Sequence, residues 1–427
     1  MKRVNVIGAG LAGVEACNYL LKRGYEVHLY EKRGVAASPA HVTNLYAELV
    51  CSNSLKSSRL DNACGLLKEE MRHMDSLTMK VAEETSIPSG NALSVDRDTF
   101  ASKITHIINS FPNLVFHNED VIDLPDEPTI VATGPLTSDI LAKRLNEIIG
   151  TGSLFFFDAS APIVRAESID MNIAYRKSRY DQDDGSYINC PMSKEEYDAF
   201  YDALVNAELA HIHEFDKNYF DGCMPVEVIA KRGRDTLRFG PLKPKGLQDL
   251  SRPKAYAVVQ LRQDNLANDL YNIVGFQTNL TYPEQKRVFS MIPGLEHAEF
   301  VRYGLMHRNT YICSPVALNQ DMSLKNKPNI YIAGQLSGVE GYVESAAMGI
   351  LAAISIDQKL SNKAQEMPPI HTIIGSLRNY ICNASKDDFS PMNANFGIIF
   401  GATKSNREET IEKSLKSIDE YWKRIND

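Results

Sequence analysis

The chain has 427 residues, of which 44% are hydrophobic and 23% are charged, and its formal net charge is −8. This composition is typical of a globular protein, and the length is sufficient for two or three domains. The negative charge argues against a protein whose whole surface attracts nucleic acid, although a local basic face can still bind it.

The amino terminus lacks the charged and then apolar pattern of a signal peptide, and no apolar run approaches the roughly 18 residues needed to cross a bilayer. We therefore expect a cytoplasmic protein without membrane contact. Its seven cysteines are odd in number and show no pairwise spacing, which indicates thiols rather than a disulfide framework. No two of them form a Cys-x-x-Cys pattern, so we expect no metal site.

Residues 4–7 form an apolar strand pattern that leads into a Gly-x-Gly-x-x-Gly turn and then a helical pattern. In such turns Gly8 permits the tight bend, Gly10 leaves room for a pyrophosphate and Gly13 lets the helix pack close to the strand. The N–H groups at the start of the helix then favour an anion. The predicted cofactor-binding residues of this turn are Gly8, Ala9, Gly10, Leu11, Ala12 and Gly13.

A second strand is predicted over residues 26–31, and it ends on the carboxylate of Glu31. At this spacing an acidic residue hydrogen-bonds the ribose of adenosine in dinucleotide-binding folds. The turn alone does not distinguish NAD, FAD and S-adenosylmethionine, so the choice among them depends on the rest of the chain.

A late segment of the chain favours FAD. Residues 329–335 have the pattern of a short buried strand that ends in glycine, and residues 341–353 that of a helix rich in small residues. In two-dinucleotide flavoproteins such a segment returns to the flavin end of FAD, and residues 129–135 resemble the Ala-Thr-Gly strand of that fold. We therefore expect an α/β protein with a Rossmann-like FAD-binding domain. The predicted FAD contacts in the late segment are Gly334, Gln335, Gly341 and Tyr342.

Cys51 follows a long predicted loop and precedes a Ser-Asn-Ser sequence typical of a helix cap. A thiol near a helix N-terminus has a lowered pKa, because the helix dipole favours the thiolate. The alternative is a small buried hydrophobic side chain, which is what most free cysteines are. Further predicted elements are a helix over residues 61–86, a helix over residues 97–109 and a strand over residues 114–117.

The pattern changes after Pro135, and the segment from about residue 153 to residue 300 has a strand at residues 154–157, a helix over residues 194–210 and several proline-containing loops. We interpret residues 151–300 as an α+β insertion domain. It splits the FAD-binding domain into residues 1–150 and residues 301–427, because the late FAD motif must return to the first sheet. A polar amphipathic helix is predicted over residues 406–427.

The insertion contains two basic clusters, one around residues 176–179 and the other between residues 231 and 245. A charge run is usually a solvated face. Both clusters are interleaved with aromatic residues or Gly/Pro loops, however, as in surfaces that follow a phosphate backbone. The candidate phosphate contacts are Arg176, Lys177, Arg179, Lys231, Arg232 and Arg234.

A second cysteine, Cys223, lies between Gly222 and the Met-Pro pair that ends at Pro225. The glycine and the proline fix an unusual backbone around this thiol. Such a setting suits an exposed and positioned side chain, although a structural cysteine is an equal alternative from the local sequence.

Several segments together resemble one enzyme family, the folate- and FAD-dependent tRNA (uracil-5-)-methyltransferases. The segments are residues 48–55, 222–227, 303–310 and 334–347. The similarity extends from residue 1 to about residue 400, and its motifs are highly specific. One departure is Gly34, where the family motif has proline, and it affects only loop geometry.

The resemblance implies that Cys223 adds to C6 of the target uridine and that Cys51 removes the C5 proton or otherwise assists the adduct. Uracil C5 is a poor nucleophile before such an addition, and a thiolate is suited to make it. The resemblance further implies that reduced FAD accepts the methylene group of methylenetetrahydrofolate through N5 and supplies the electrons for the methyl group. NADPH or NADH would then reduce the flavin.

The same resemblance points to a uridine in the T-loop of tRNA, while relatives with this chemistry act on a uridine of large-subunit ribosomal RNA. Two further hypotheses are a thiol-flavin oxidoreductase and a flavin-stabilised RNA-binding protein without activity. An electron relay usually pairs cysteines that are close in sequence, whereas the nearest cysteine after Cys51 is Cys64. Both family cysteines are present, which disfavours an inactive protein.

Overall fold

The computed structural model describes residues 2–36, 40–150, 154–179, 187–210, 224–249, 251–387 and 389–427. For residues 154–159 and 306–308 it describes the backbone only. Cys223 and residues 180–186 of the sequence lie outside the described residues.

In the part of the chain that the structure describes, the strands form two large sheets and two small ones. In chain order they are β1 (Arg3–Ile7), β2 (Glu26–Tyr30), β3 (Ser54–Ser57), β4 (Ser86–Ile87), β5 (Ala92–Val95), β6 (Leu114–His117), β7 (Thr129–Val131), β8 (Leu154–Ala159), β9 (Ile163–Arg165), β10 (Tyr175–Arg176), β11 (Tyr187–Met192), β12 (Ala257–Gln263), β13 (Leu270–Ile273), β14 (Phe300–Arg302), β15 (Met306–Tyr311), β16 (Ser323–Leu324) and β17 (Lys327–Ile332).

The α-helices range from single turns to more than five turns. They are α1 (Leu11–Lys22), α2 (Ala63–His73), α3 (Leu77–Glu84), α4 (Arg97–Asn109), α5 (Asp139–Ile149), α6 (Lys194–Val205), α7 (Val226–Lys231), α8 (Thr236–Phe239), α9 (Tyr282–Phe289), α10 (Ser314–Ala317), α11 (Tyr342–Leu360), α12 (Ile373–Asn383) and α13 (Arg407–Asn426). Short 3₁₀ turns lie at Ala166–Ser168, Gly334–Ser337 and Phe396–Ile398.

The first large sheet has the strand order β16-β17-β7-β1-β2-β6, and all its pairs are parallel except that of β16 with β17. The buried part of its central strand β1 is apolar except for Asn5, whose side-chain amide donates to the hydroxyl of Thr129 on β7 at 3.3 Å. A mostly apolar strand is expected where a parallel strand is covered on both faces. Val6 lies opposite Leu29 on one side and Ile130 on the other. The expected α/β fold with a Rossmann-like sheet is therefore confirmed, and the late strand β17 does return to the first sheet.

Helix α11 packs directly against α1, the helix of the glycine-rich turn. A Cβ atom added at Gly349 would lie 2.1 Å from the carbonyl oxygen of Ala12, so only glycine permits this approach. The small residues predicted in the late helix therefore have a packing role, because they bring the backbones of the two helices together.

The second large sheet has the order β10-β11-β12-β13-β9-β14 and is antiparallel. Its strands come from residues 163–302, and it has a hydrophobic core of its own, built with helices such as α6 and α9. Strands β8 and β15 form a small two-stranded antiparallel sheet. The domain boundaries at residues 150 and 300 stay a prediction.

The prediction of one helix over residues 61–86 is wrong. The chain forms α2 and α3, separated by a bend in which Asp75 has a φ of 56°. Ser76 caps α3 by accepting a hydrogen bond from the amide of Met79, and the buried Glu15 of α1 accepts from the amides of Leu77 and Thr78. A new helix start is therefore fixed by a distant carboxylate that the local pattern does not reveal.

The predicted helix cap after Cys51 is also wrong, since the chain continues into strand β3. The other local predictions agree with the structure: the elements at residues 97–109, 114–117, 154–157 and 406–427 are present, and the helix from residue 194 ends earlier, at Val205. No disulfide joins the six cysteines in the described residues. Among those residues, no helix combines the length and apolar character that a membrane crossing requires.

The carboxylate of Glu70 on α2 fixes the start of α12. It accepts hydrogen bonds from the amides of Ile373 and Ile374 at 2.7 and 2.9 Å, and from the hydroxyl of Ser414 on α13 at 2.5 Å. Complete burial raises the pKa of Glu70 to about 7, although these hydrogen bonds act in the opposite direction. Glu70 therefore joins three helices through one titratable group.

We predict that the free energy of unfolding falls as the pH rises from about 5 to 8, and that Glu70→Gln flattens this fall. The folded protein keeps the proton on Glu70 up to about pH 7, whereas the unfolded carboxyl loses it near pH 4.3. Over this pH range the difference lowers the free energy of unfolding by about 3 kcal/mol. Urea denaturation at several pH values measures the slope. The control Glu420→Gln changes an exposed carboxyl on α13, and a Glu70→Gln slope equal to that of this control would contradict the prediction.

Candidate functional site

The glycine-rich turn between β1 and α1 has the geometry that its spacing predicts. Gly8 has a φ of 101°, and a Cβ atom there would lie 2.5 Å from the carbonyl oxygen of Ala132. At Gly13 a Cβ atom would lie 1.8 Å from the carbonyl oxygen of Gly8. At Gly10, by contrast, a Cβ atom would have no neighbour within 4 Å, so the space above this residue is open. The first and third glycines are thus packing requirements, while the second leaves room for a ligand.

Glu31 follows β2 and lies against the same turn. Its carboxylate accepts hydrogen bonds from the amide of Ala9 at 2.8 Å, the amide of Arg33 at 3.0 Å and the guanidinium of Arg33 at 2.9 Å. Burial by itself would raise the pKa of Glu31, but the bonds and charge of Arg33 and the amide of Ala9 hold it below its usual value. An ionised acceptor is therefore fixed beside the turn.

The late segment reaches the same place from the other end of the chain. Gly334 has a φ of 71°, and a Cβ atom there would lie 2.9 Å from the Cβ of Ala12. Gly341, with a φ of 123°, caps the N-terminus of the 19-residue helix α11. The two long helices α1 and α11 therefore begin beside each other. Their N-termini both favour anionic or polar groups of a ligand.

These elements enclose a cleft of about 1720 Å³, counted with its open mouth. Its wall includes most of the residues that the sequence proposes for the site. Those on the wall are Gly8, Gly10, Leu11, Ala12, Glu31, Cys51, Gly334, Gln335, Gly341 and Tyr342. Ala9 and Gly13 lie behind the wall, where Ala9 holds Glu31 and Gly13 packs under Gly8.

The position of Cys51 depends on the segment of residues 49–53, which four side chains bind. The hydroxyl oxygen of Tyr342 accepts hydrogen bonds from the amides of Cys51 and Ser52, at 2.7 and 3.1 Å. We call Arg97, Arg262, Arg302 and Tyr342 the Cys51 clamp. Tyr342, which the sequence predicts as an FAD contact, therefore also holds the backbone of Cys51.

The three arginines of the Cys51 clamp each reach a different part of this segment. Arg97 donates to the carbonyl oxygen of Leu49 at 2.6 Å, and Arg302 to that of Val50 at 2.8 Å. Arg262 donates to the hydroxyl of Ser52 at 2.7 Å and to the side-chain oxygen of Asn53 at 3.2 Å. Sequence reasoning missed all three, because their positions on α4, β12 and β14 carry no spacing signal.

Asn53 joins this segment to the second sheet. Its fully buried amide group donates to the carbonyl oxygens of Val95, Gln263 and Asp264, at 3.1, 3.1 and 3.3 Å. These bonds explain why the Ser-Asn-Ser sequence forms no helix cap: its side chains are already used by residues about 210 positions away. Cys51 is therefore placed by tertiary contacts and not by a helix dipole.

Comparison with known proteins identifies the family. Residues 3–364 match the sequence-family model described as glucose inhibited division protein A. The chain is 56% identical, over 402 residues, to the methylenetetrahydrofolate–tRNA-(uracil-5-)-methyltransferase TrmFO of Lactobacillus gasseri, across 93% of this chain and 92% of that protein. It is 54% identical to the TrmFO of Acetivibrio thermocellus over 427 residues, across 98% of both chains. The chain belongs to the methylenetetrahydrofolate–tRNA-(uracil-5-)-methyltransferase family.

The fold extends to more distant proteins. A crystal structure of Aquifex aeolicus GidA superposes with a TM-score of 0.72 at 14% identity, covering 99% of this chain and 73% of that one. At this identity the likeness concerns the fold alone. It confirms the fold class expected from the two glycine motifs.

The two basic clusters of the insertion are adjacent. The guanidinium of Arg179 in the first cluster donates to the carbonyl oxygen of Lys243 in the second at 3.0 Å, and also to that of Lys245. Arg234, however, forms ion pairs with Asp198 at 2.9 Å and Asp202 at 2.5 Å. Arg179 and Arg234 therefore already hold protein groups.

The remaining candidates differ in exposure. Arg176 is exposed and donates to the hydroxyl of Tyr271 at 3.0 Å, while Lys177 is half-buried and donates to the carbonyl oxygen of Gln248 at 3.0 Å. Lys231 and Arg232 are exposed at the end of α7. Arg176, Lys231 and Arg232 are thus the exposed candidates in the two clusters.

Proposed function

We propose that this protein methylates C5 of a uridine in tRNA and takes the one-carbon unit from methylenetetrahydrofolate. Membership of the family supports the reaction, and the Cys51 thiol on the wall of the dinucleotide-type cleft is the structural observation that supports its location. The methylene group needs two further electrons to become a methyl group. The balanced reaction therefore converts uridine, methylenetetrahydrofolate, NAD(P)H and a proton into 5-methyluridine, tetrahydrofolate and NAD(P)⁺.

FAD is the cofactor that fits the cleft. The open space above Gly10 admits a pyrophosphate, and the amides at the start of α1 face it. Glu31 supplies a carboxylate where the adenosine ribose would bind, and Gly341 and Tyr342 at the start of α11 would hold the flavin end. When bound, FAD supplies a carrier for the methylene group and for the electrons that reduce it.

The two thiols divide the chemistry on uracil in this proposal. Cys223 adds to C6, which makes C5 nucleophilic, and Cys51 takes the C5 proton after the one-carbon unit has been attached. Met224, the residue after Cys223, is buried, and α7, which follows it, contributes Val226 and Ala230 to the hydrophobic core of the second large sheet. We propose that residues 151–300 form an insertion domain that presents Cys223 to the FAD-binding domain of residues 1–150 and 301–427.

The T-loop of tRNA is the target that we propose, and the reaction would then take place in the cytoplasm. The base lies within folded RNA and must be exposed before a thiol can reach C6. The alternative is a uridine of large-subunit ribosomal RNA, which the same chemistry could modify. Phosphate contacts do not distinguish these substrates, because they position RNA without reading its sequence.

The proposed function is tested by incubating the purified protein with methylenetetrahydrofolate, NADPH and an unmodified tRNA transcript, followed by nucleoside analysis. We expect 5-methyluridine in the T-loop. Fragments of large-subunit ribosomal RNA form the parallel reaction. Methylation of those fragments, without methylation of any tRNA transcript, would move the assignment to the alternative substrate.

We predict that Gly10→Val yields a folded protein without FAD. Gly10 has a φ of −73°, which valine also adopts, and its Cβ atom would meet no protein atom within 4 Å. The valine side chain would instead occupy the space meant for the pyrophosphate. The absorbance ratio at 450 and 280 nm measures flavin content, with Gly10→Ala expected between wild type and Gly10→Val. A folded Gly10→Val protein with full flavin content would refute the assignment.

We predict that Cys223→Ala abolishes methyl transfer, with a loss of at least about 1000-fold, because alanine offers no nucleophile. Flavin content and flavin reduction by NADPH should stay normal, since the FAD contacts lie elsewhere in the chain. Cys313→Ala is the matched control, because Cys313 is a half-buried free cysteine at the start of α10. Near-normal methylation by Cys223→Ala would exclude the covalent mechanism.

We predict that the double charge reversal Lys231→Glu and Arg232→Glu weakens tRNA binding by about tenfold or more at low salt. Each reversal removes one phosphate contact and adds a repulsion, so the salt dependence of binding becomes shallower. Flavin reduction by NADPH should be unchanged. Lys416→Glu, on the exposed face of α13, serves as the control, and equal losses in both proteins would exclude a local RNA surface at α7.

A further inference from the structure

Arg262 is a buried cation whose side-chain hydrogen bonds to Asn53 and Ser52, within the part of the chain that the structure describes, reach neutral groups. It lies on β12, in which every residue is buried, and it is 9% exposed. Its Nε and Nη2 atoms donate to the oxygens of Asn53 and Ser52, and neither oxygen carries a charge. Burying a guanidinium is costly unless an anion lies close to it. The surroundings of Arg262 should therefore contain a negative group.

The carboxylates around the Cys51 clamp do not balance its charge. Arg97 is paired with Asp264 at 3.1 Å. Glu48, in the loop before Cys51, accepts bonds from the amides of Val42 and Thr43. The three guanidinium groups of the Cys51 clamp thus face two carboxylates, which leaves one positive charge in excess. The phenols nearby do not supply the anion, because burial raises the pKa of Tyr342 and the hydroxyl of Tyr187 donates to the carbonyl oxygen of Ser89 at 3.4 Å.

The thiol of Cys51 is the group that can complete this balance. Burial holds the pKa of Arg262 below its usual value, and Tyr187, Asp264 and Cys51 act in the opposite direction when they are ionised. The ionised thiol of Cys51 has the same effect on the pKa of Arg97, whose carboxylate partner is Asp264. Within the Cys51 clamp, Arg97 and Arg302 lie behind the cleft, whereas Arg262 and Tyr342 are on its wall beside Cys51. Arg262 is therefore the one guanidinium of the clamp that shares the cleft with the thiol.

We propose that Arg262 is a positioning residue that holds Cys51 in the cleft as a thiolate, the form able to accept the C5 proton of the target uridine. The proposal rests on the proposed function for the identity of the substrate. The hydrogen bonds to Ser52 and Asn53 fix the backbone on the C-terminal side of Cys51, and the guanidinium charge favours the ionised sulfur. On proton transfer the C5–H bond breaks, an S–H bond forms, and the electron pair stays on the pyrimidine ring.

The chemical reactivity of Cys51 tests this proposal without RNA or folate. The FAD-loaded enzyme is treated with iodoacetamide from pH 5 to pH 10, and the rate of alkylation of the Cys51 peptide is measured by mass spectrometry. We expect Arg262→Gln to move the midpoint of this pH profile upward by about one unit or more, which lowers the rate near pH 7 by about tenfold. Arg262→Lys keeps the charge and should restore most of the profile.

Arg165→Gln is the matched control, because Arg165 lies on β9 of the same sheet in an exposed ion pair with Glu299. Its profile should equal that of the wild type. A wild-type midpoint in folded, FAD-containing Arg262→Gln would overturn the proposal. So would a lowered rate without any shift of the midpoint, since that result indicates only a displaced loop.

A second measurement covers the case in which Arg262→Gln does not fold. The absorbance of thiolate near 240 nm is titrated in the wild type and in Cys51→Ala, and the difference reports the ionisation of Cys51. We expect the midpoint of this difference to lie below pH 7, against about 8.5 for an ordinary cysteine. A midpoint above pH 8 would overturn the proposal even if the enzyme methylates tRNA. An enzyme that fails to methylate RNA but has a low midpoint would instead contradict the proposed function alone.

Discussion

The close contact between α1 and α11 is the constraint on which the rest of the structure depends. At Gly349 the late helix approaches the backbone of Ala12 so closely that a Cβ atom would be only 2.1 Å from its carbonyl oxygen. This contact brings two helix N-termini, separated by more than 300 residues, to one end of a parallel sheet. A single cleft with two anion-favouring helix ends follows from it, and this is the cleft in which we propose that FAD binds.

The second constraint connects the cleft to the antiparallel sheet. The side-chain amide of Asn53 donates to the carbonyl oxygen of Val95 and to those of Gln263 and Asp264 at the end of β12. Its side-chain oxygen accepts a hydrogen bond from Arg262, which also lies on β12. Cys51, two residues earlier, is thereby fixed relative to both sheets. A thiol that belongs by sequence to the FAD-binding half is thus oriented by the other half. If Cys51 accepts the C5 proton, as we propose, its position depends on contacts with the second sheet.

Buried carboxylates perform a repeated task in this fold. Glu15 fixes the start of α3, Glu70 fixes the start of α12, and Glu227 binds the hydroxyl of Thr278 and the amide of Asn279. In each case an acceptor on one element satisfies backbone donors of another that would otherwise be unpaired. These contacts make the helix layer cooperative, and burial raises the pKa of all three groups.

The sequence by itself determined the Rossmann-like part of the fold, because the roles of Gly8, Gly10 and Gly13 are local. Each of these glycines meets a steric requirement of the turn between β1 and α1. The capped start of α4 at Asp96 was predictable for the same reason. Only the tertiary structure decided the setting of Cys51, the break between α2 and α3, and the partners of the basic residues. Arg262, Glu15 and Asp198 act there across 36 to 210 positions of sequence. A local pattern cannot encode such partners, since a side chain that caps or pairs at long range leaves no periodicity at the place where it acts.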